Sequence, residues 1–157
     1  NIMKKTTSHN GFTLIELIIV MVILGIMAAV AVPRYLDSIE NAEASAEDAV
    51  ISAIRGGLKQ AANDSLYTNG RASWPSNPFD ALSKTTDGLV DLAGYTEDVD
   101  LADVDGEWTF IVTDAENGTI THQRADNSRH TWDYNAGTQD GDGAETGSIG
   151  PRVQVAP

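Results

Sequence analysis

The run of apolar residues from Leu14 to Val32, LIELIIVMVILGIMAAVAV, constrains this chain more than any other feature. It holds one charge, Glu16, and no polar residue follows that glutamate before Pro33. At about 1.5 Å per helical residue, Phe12 to Val32 spans about 30 Å, the hydrocarbon thickness of a bilayer. A lone carboxylate at mid-membrane costs about 2.5–3.5 kcal/mol on insertion scales, and less near an end. Glu16 therefore either lies close enough to the interface to find water or has a specific partner.

The 157 residues allow a membrane segment and one modest domain. Net charge is −13; the first eleven residues carry +2 (Lys4, Lys5), which leaves −15 for the rest. So acidic a domain repels phosphate backbones, which argues against nucleic acid as the main ligand. It also favours divalent cations as counter-ions. With no cysteine, neither disulfides nor thiolate chemistry is available, and the polar part must hold together by packing or a bound ion.

Residues 1–11 are short, basic and polar, with Met3 reading as an initiator. Positive charge ahead of an apolar run keeps that end cytoplasmic and sends the rest across the membrane. Two processing schemes compete. A secretory signal would be cut after the small-x-small site Ala29-Val30-Ala31, releasing a soluble acidic domain. Its apolar region of about 17 residues exceeds the usual 7–15, and it begins with a carboxylate. The other scheme cuts ahead of the apolar run and keeps it.

The hexapeptide Gly11-Phe12-Thr13-Leu14-Ile15-Glu16, with its basic leader and its apolar continuation, resembles the processing signature of type IV pilins and type II secretion pseudopilins. The resemblance covers roughly residues 3–62. It implies cleavage after Gly11 by a prepilin peptidase and N-methylation of Phe12. It also implies that Glu16 registers subunits by pairing with a neighbour's terminal amine. The first turn of a helix carries partial positive charge and stabilises an acid at that place. Helices of this family often unwind between positions matching Gly25 and Pro33, where glycine costs about 1 kcal/mol and proline about 3. A stretchable or kinked segment is expected there, with an ordinary proline kink in an isolated subunit.

The fold implied is an α+β ladle, a long N-terminal α-helix packed on a small antiparallel β-sheet. Residues 1–11 form the leader, 12–62 the helix (12–33 transmembrane and filament core, 34–62 amphipathic), and 63–157 the C-terminal domain. The resemblance implies a structural subunit with no catalytic residues. It would sit in the bacterial inner membrane and then polymerise, with the pilus or pseudopilus assembly machinery, into a homo-oligomeric helical filament. A type IV pilin is the first reading, a periplasmic pseudopilin the second, and a secreted acidic domain the third. Without cysteines the chain lacks the C-terminal disulfide loop frequent in type IV pilins, which weighs against the first reading without deciding it. Adhesion, motility and secretion all remain open as roles.

Beyond Pro33, Leu36, Ile39, Ala46, Val50, Ala53, Ile54, Gly57, Leu58 and Ala61 recur at three- and four-residue steps and define one helical face. Asp37, Glu40, Glu43, Glu47 and Asp48 are assigned mostly elsewhere, and Asn63-Asp64 is expected to end the helix. Residues 65–91 read as a connection, with Trp74 and Phe79 as anchors onto the helix. Leu89 to Tyr95 reads as a short strand or helical turn. Three antiparallel strands are expected over 107–113, 119–124 and 129–134, with turns over 114–118, containing Asn117-Gly118, and over 125–128. Trp108, Phe110 and Val112 share a face, as do His130, Trp132 and Tyr134. A final edge strand is expected over 152–155.

Asp140-Gly141-Asp142-Gly143-Ala144-Glu145 suits Ca²⁺, which takes 6–8 hard oxygen ligands. A calcium loop near the C-terminus belongs to some major pseudopilins, but the spacing here does not match, so no metal ligands are assigned. Asp103-Val104-Asp105-Gly106 lacks the remaining ligands of an EF-hand. His122 and His130 on neighbouring strands are two zinc-type ligands without a third. No nucleophile, phosphate-loop or dinucleotide motif is present, and no cofactor is expected. Asn63-Asp64-Ser65 and Asn117-Gly118-Thr119 fit the glycosylation pattern, which is common by chance.

Overall fold

The computed structural model describes residues 11–90, 102–114, 116–137 and 147–155. One α-helix, α1 (Leu14–Asn69), is followed by a short 3-10 turn (Pro78–Ala81) and six strands. These are β1 (Leu89–Val90), β2 (Trp108–Val112), β3 (Asn117–Gln123), β4 (Arg129–Asn135), β5 (Ser148–Ile149) and β6 (Val153–Val155). The fold is α+β. The chain divides into two compact units, residues 1–42 and 43–157, taken separately below.

In the first unit the helix begins at Leu14 and every described residue from Gly11 to Ala42 is exposed. Gly25 to Pro33 is helical throughout, so no unwinding separates these two residues. Pro33 lacks an amide hydrogen and forfeits one ladder bond, a loss the flanking turns absorb.

In the second unit the helix extends past the expected stop at Asn63-Asp64. Asn and Asp in a helix interior cost only tenths of a kcal/mol, and the buried methyl of Ala62 holds that turn against the domain. Gly70 ends the helix: it adopts a left-handed φ of 71° and donates its amide to Leu66 O at 2.9 Å. The buried stripe is Glu47, Ile51, Ile54, Leu58 and Ala62. Ala46 and Ala53, expected on the inner face, are exposed.

The sheet runs β1-β2-β3-β4, and both β5 and β6 pair with β4. Strands β2, β3 and β4 form the expected antiparallel meander, but β1 joins β2 in parallel, so the sheet is mixed rather than wholly antiparallel. The register puts Trp108, His122 and His130 side by side, then Phe110, Ile120 and Trp132, all on the helix-facing side. Their rings interlock: Trp108 stacks on Trp132 at 5.6 Å, and Phe110 meets Tyr134 edge-on at 5.7 Å. Ile51, Ile54 and Leu58 complete this core, with Phe79 against it. Trp74 stacks on Tyr134 at 6.0 Å, and the Tyr134 hydroxyl donates to Pro75 O at 2.6 Å. Both expected anchors therefore hold the connection down. Val112, expected on the inner face, is exposed near the strand end.

The opposite face carries Thr109, Thr121 and Thr131 in register, covered by buried Ala102, whose amide donates to Thr121 Oγ1 at 3.2 Å. The first hairpin turn lies ahead of Asn117-Gly118, both of which belong to β3. The Asp114 carboxylate makes that turn, accepting the amides of Glu116 and Asn117 at 2.9 and 2.8 Å. The second turn comes at 125–128 as expected, with Asn127 left-handed at φ 62°.

The edge formed by β5 and β6 is broken at Gly150-Pro151. Tyr134 pairs with Ile149, but Thr131 pairs with Val153, a one-residue shift in register. This is a β-bulge, placed where proline has no amide to give to the ladder.

Two adjacent glycines test the helix–domain packing. A Cβ on Gly57 would strike the Ala81 backbone, whereas one on Gly56 would meet nothing within 4 Å. Gly57→Ala is expected to destabilise the domain by about 1–3 kcal/mol despite the better helix propensity of alanine. Gly56→Ala should be neutral or stabilise it by up to about 1 kcal/mol. Thermal unfolding of the full chain in detergent, followed by near-UV circular dichroism, separates the two.

Candidate functional site

The residues singled out at the N-terminus lie together at the start of α1. Gly11 and Phe12 precede the helix; Phe12 is 82% exposed, and a Cβ at Gly11 would meet nothing within 4 Å. Thr13 and Glu16 form a capping box. Glu16 Oε2 accepts from the Thr13 amide at 2.9 Å and from the Thr13 hydroxyl at 2.7 Å, and the Glu16 amide donates back to Thr13 Oγ1 at 3.3 Å. The carboxylate thus satisfies the first orphan donors of its own helix. From Leu14 to Val32 the apolar side chains face outward on every side, and α1 is long and apolar enough to cross a membrane. A Cβ at Gly25 would touch nothing, so no local packing demands glycine there.

The second concentration of chemistry surrounds Glu47, which the apolar pattern leaves off the buried helical face and the structure puts on it. Glu47 has no exposed surface. Its Oε1 accepts from His122 Nδ1 at 2.9 Å and Arg124 Nε at 2.7 Å; its Oε2 accepts from Arg124 Nη2 at 2.7 Å and Arg152 Nη1 at 2.9 Å. His130 Nδ1 lies 3.7 Å from Oε1 and has no hydrogen-bond partner. Burial would push the Glu47 carboxyl up. The hydrogen bonds from Arg124, His122 and Arg152, with the charge of Arg124, outweigh it and hold the group well below the usual carboxylate range. The same pairing raises Arg124, while burial lowers His130.

His122 and His130 are direct cross-strand neighbours, as their zinc reading required. The group between them, however, is a carboxylate already held by two guanidiniums, whose charge opposes a divalent cation. Among the described residues no set of three His, Cys, Asp or Glu side chains has the geometry of a metal site. At Asp103 to Gly106 the backbone closes on Glu107, whose Oε2 accepts the amides of Asp103 and Val104 at 2.9 and 3.1 Å. The Asp140–Glu145 loop lies outside the described residues. The Asn117 amide is bound to both oxygens of Asp114 at 2.9 Å.

Removing the Glu47 charge leaves the buried Arg124 guanidinium uncompensated and the partly exposed Arg152 without its partner, so Glu47→Gln is expected to cost about 3–5 kcal/mol. The folded-state pKa of Glu47 lies below its unfolded value of 4.5, so the unfolded chain binds more protons. The stability it contributes is complete above about pH 4.5 and declines as pH falls further. Denaturant titrations at pH 7 and across the acid range should show the wild-type loss, reduced in the variant.

Residues 6–32 match the prokaryotic N-terminal methylation motif. A fimbrial protein of Pseudomonas aeruginosa is 34% identical over 113 residues, which cover 72% of this chain and 65% of that protein. The type IV major pilin protein PilE1 of Neisseria gonorrhoeae is 44% identical over 71 residues, 45% of this chain and 39% of that protein. The type IV narrow pilus major component PilA5 of Thermus thermophilus is 53% identical over 45 residues, 29% of this chain and 39% of that protein. The chain thus spans just under two thirds, or less, of the curated relatives it matches. No solved structure is significantly similar to it. A methylation motif running into an exposed apolar helix, followed by a helix-backed sheet and shared with fimbrial proteins, places the chain in the type IV pilin family.

Proposed function

We propose that the chain is a non-catalytic structural subunit of a type IV pilus. It waits in the inner membrane on the apolar part of α1, is cut after Gly11 by a prepilin peptidase, and polymerises through the same helix. The observation that carries this reading is the coincidence of the methylation motif with a helix whose apolar side chains are exposed all round. Such a surface is unstable in water and needs either lipid or other helices. Lipid and a helix bundle are similarly apolar, so the exchange between them gains little from burial and depends on packing and polar pairing. Pilin and fimbrial relatives favour a pilus over a secretion pseudopilus.

Glu16 supplies the polar pairing. Among the described residues its carboxylate accepts from Thr13 alone, and cleavage would create a new ammonium at Phe12, one residue before Thr13. A neighbouring subunit's ammonium brought to the same carboxylate would neutralise it within the apolar bundle, where an unpaired charge is costly. No such neighbour is needed for folding, because the capping box already satisfies the helix start.

Intact-mass and N-terminal analysis of the mature protein tests the processing step. A chain that begins at methylated Phe12 is expected; one that begins at Val32 would identify a secreted domain and sink the proposal. Glu16→Ala and Glu16→Gln should both insert in the membrane and yield few filaments, scored by shearing and electron microscopy. Because glutamine keeps the cap and loses only the charge, normal filament yield from Glu16→Gln would reject the pairing role.

A further inference from the structure

We propose that His130 and Arg152 form an acid-operated latch on the C-terminal strand: protonation of His130 displaces Arg152 from Glu47 and frees β6 from the sheet edge, while β2, β3 and β4 stay paired.

Three observations support it. First, β6 is weakly held. It has three residues, Val153 is half exposed, and among the described residues it pairs with β4 alone, through Arg129, His130 and Thr131. Arg152, immediately before it, is its anchor to the helix, donating to Glu47 Oε2 at 2.9 Å and to Ala44 O at 3.2 Å. The bulge at Gly150-Pro151 makes this contact. Without the one-residue shift, Arg152 would fall opposite Thr131, on the threonine face; with it, Arg152 falls opposite Trp132, on the helix-facing side.

Second, His130 is poised at the same carboxylate without using it. The residue is 93% buried, and its Nδ1, 3.7 Å from Glu47 Oε1, has no hydrogen-bond partner among the described residues. Third, the Glu47 carboxylate has no acceptor site left, since Oε1 takes His122 and Arg124 and Oε2 takes Arg124 and Arg152. Facing the ring are Glu47, with Glu43 and Asp48 near it on α1; His122, Arg124 and Asp126 from β3 and its turn; and Arg152 before β6. Arg129, on β4 itself, points to the other face and donates to Ala102 O at 2.8 Å. Asp48 is largely solvated, and Glu43 caps the Ala125 amide. An imidazolium donating to Glu47 must therefore displace one of these four donors.

Arg152 is the cation that can leave. Its side chain is 31% exposed against 4% for Arg124, and Arg124 alone holds the carboxylate through two bonds. His130 protonation and Arg152 docking therefore oppose one another, and by linkage each weakens the other equally. Burial holds His130 below its ordinary value of 6.5, and Glu47 is held well below the usual carboxylate range, so release belongs to the acid side of pH 6.5.

Hydrogen exchange of the full chain in detergent micelles, normalised to the unfolded chain at each pH, reads the latch directly. Site-to-site coupling is usually about 5–150-fold, so protection of Val153–Val155 should fall about tenfold or more between about pH 7.5 and pH 5. Protection of Asn117–Gln123 should hold. His130→Phe and, should that variant misfold, His130→Gln should keep β6 protected at acid pH. Arg152→Gln should leave it unprotected at both. The His130 ring titration, followed by NMR in the wild-type chain, should share its midpoint with β6 release. The latch is overturned if β6 protection is independent of pH or β3 is lost with β6. It is equally overturned if the His130 variants respond to acid as the wild type does, if Arg152→Gln retains protection, or if the two midpoints differ.

Discussion

The second unit depends on one carboxylate. Glu47 has no exposed surface and receives hydrogen bonds from two arginines and a histidine. These donors come from two separate places in the chain: the end of β3 with the residue after it, and the segment ahead of β6. An apolar core of tryptophans and isoleucines fixes how close helix and sheet lie, but dispersion is non-directional and tolerates sliding. A carboxylate with both oxygens filled by planar guanidiniums permits one register only. Its net contribution to stability need not be large, since desolvating three charges offsets much of their attraction. What it imposes is alignment, with the C-terminal segment included.

That inclusion has a chemical reason. The chain has no cysteine, so no covalent staple can tie its last strand to the rest. Arg55 donates to the carbonyls of Ile149 and Gly150 at 3.4 Å, and Arg152 reaches Glu47 and Ala44, so two guanidiniums hold the segment to the helix. A noncovalent tie of this kind responds to pH, which a disulfide does not.

The helix shows two different solutions to hydrophobicity in one element. From Leu14 to Val32 it is apolar on all sides and entirely exposed, the composition of a segment whose surroundings are other molecules. From Glu47 to Ala62 it buries a single stripe against its own domain. Among the described residues, the side-chain hydrogen bonds of the first part are those of its cap at Thr13 and Glu16. Its apolarity depends on no partner from elsewhere in the chain, and so it reads clearly in the sequence.

Length, apolarity and the Gly11–Glu16 hexapeptide by themselves determined the N-terminal helix and the family resemblance, because those features act locally and need no partner from elsewhere in the chain. Alternation of aromatic and β-branched residues likewise determined β2, β3 and β4, since a two-residue period declares which side chains share a face. Tertiary structure decided the rest. Glu47 lies on the inner stripe, but a charge there reads as solvent-facing until Arg124 and Arg152 arrive from 77 and 105 residues away. Asn117-Gly118 reads as a turn, yet Asp114 closes the backbone first and the close approach of Phe110 requires glycine within β3. The bulge at Gly150-Pro151 is invisible until β4 supplies a register to break. Local pattern specifies elements; only pairing across the chain can say which polar side chains are worth burying.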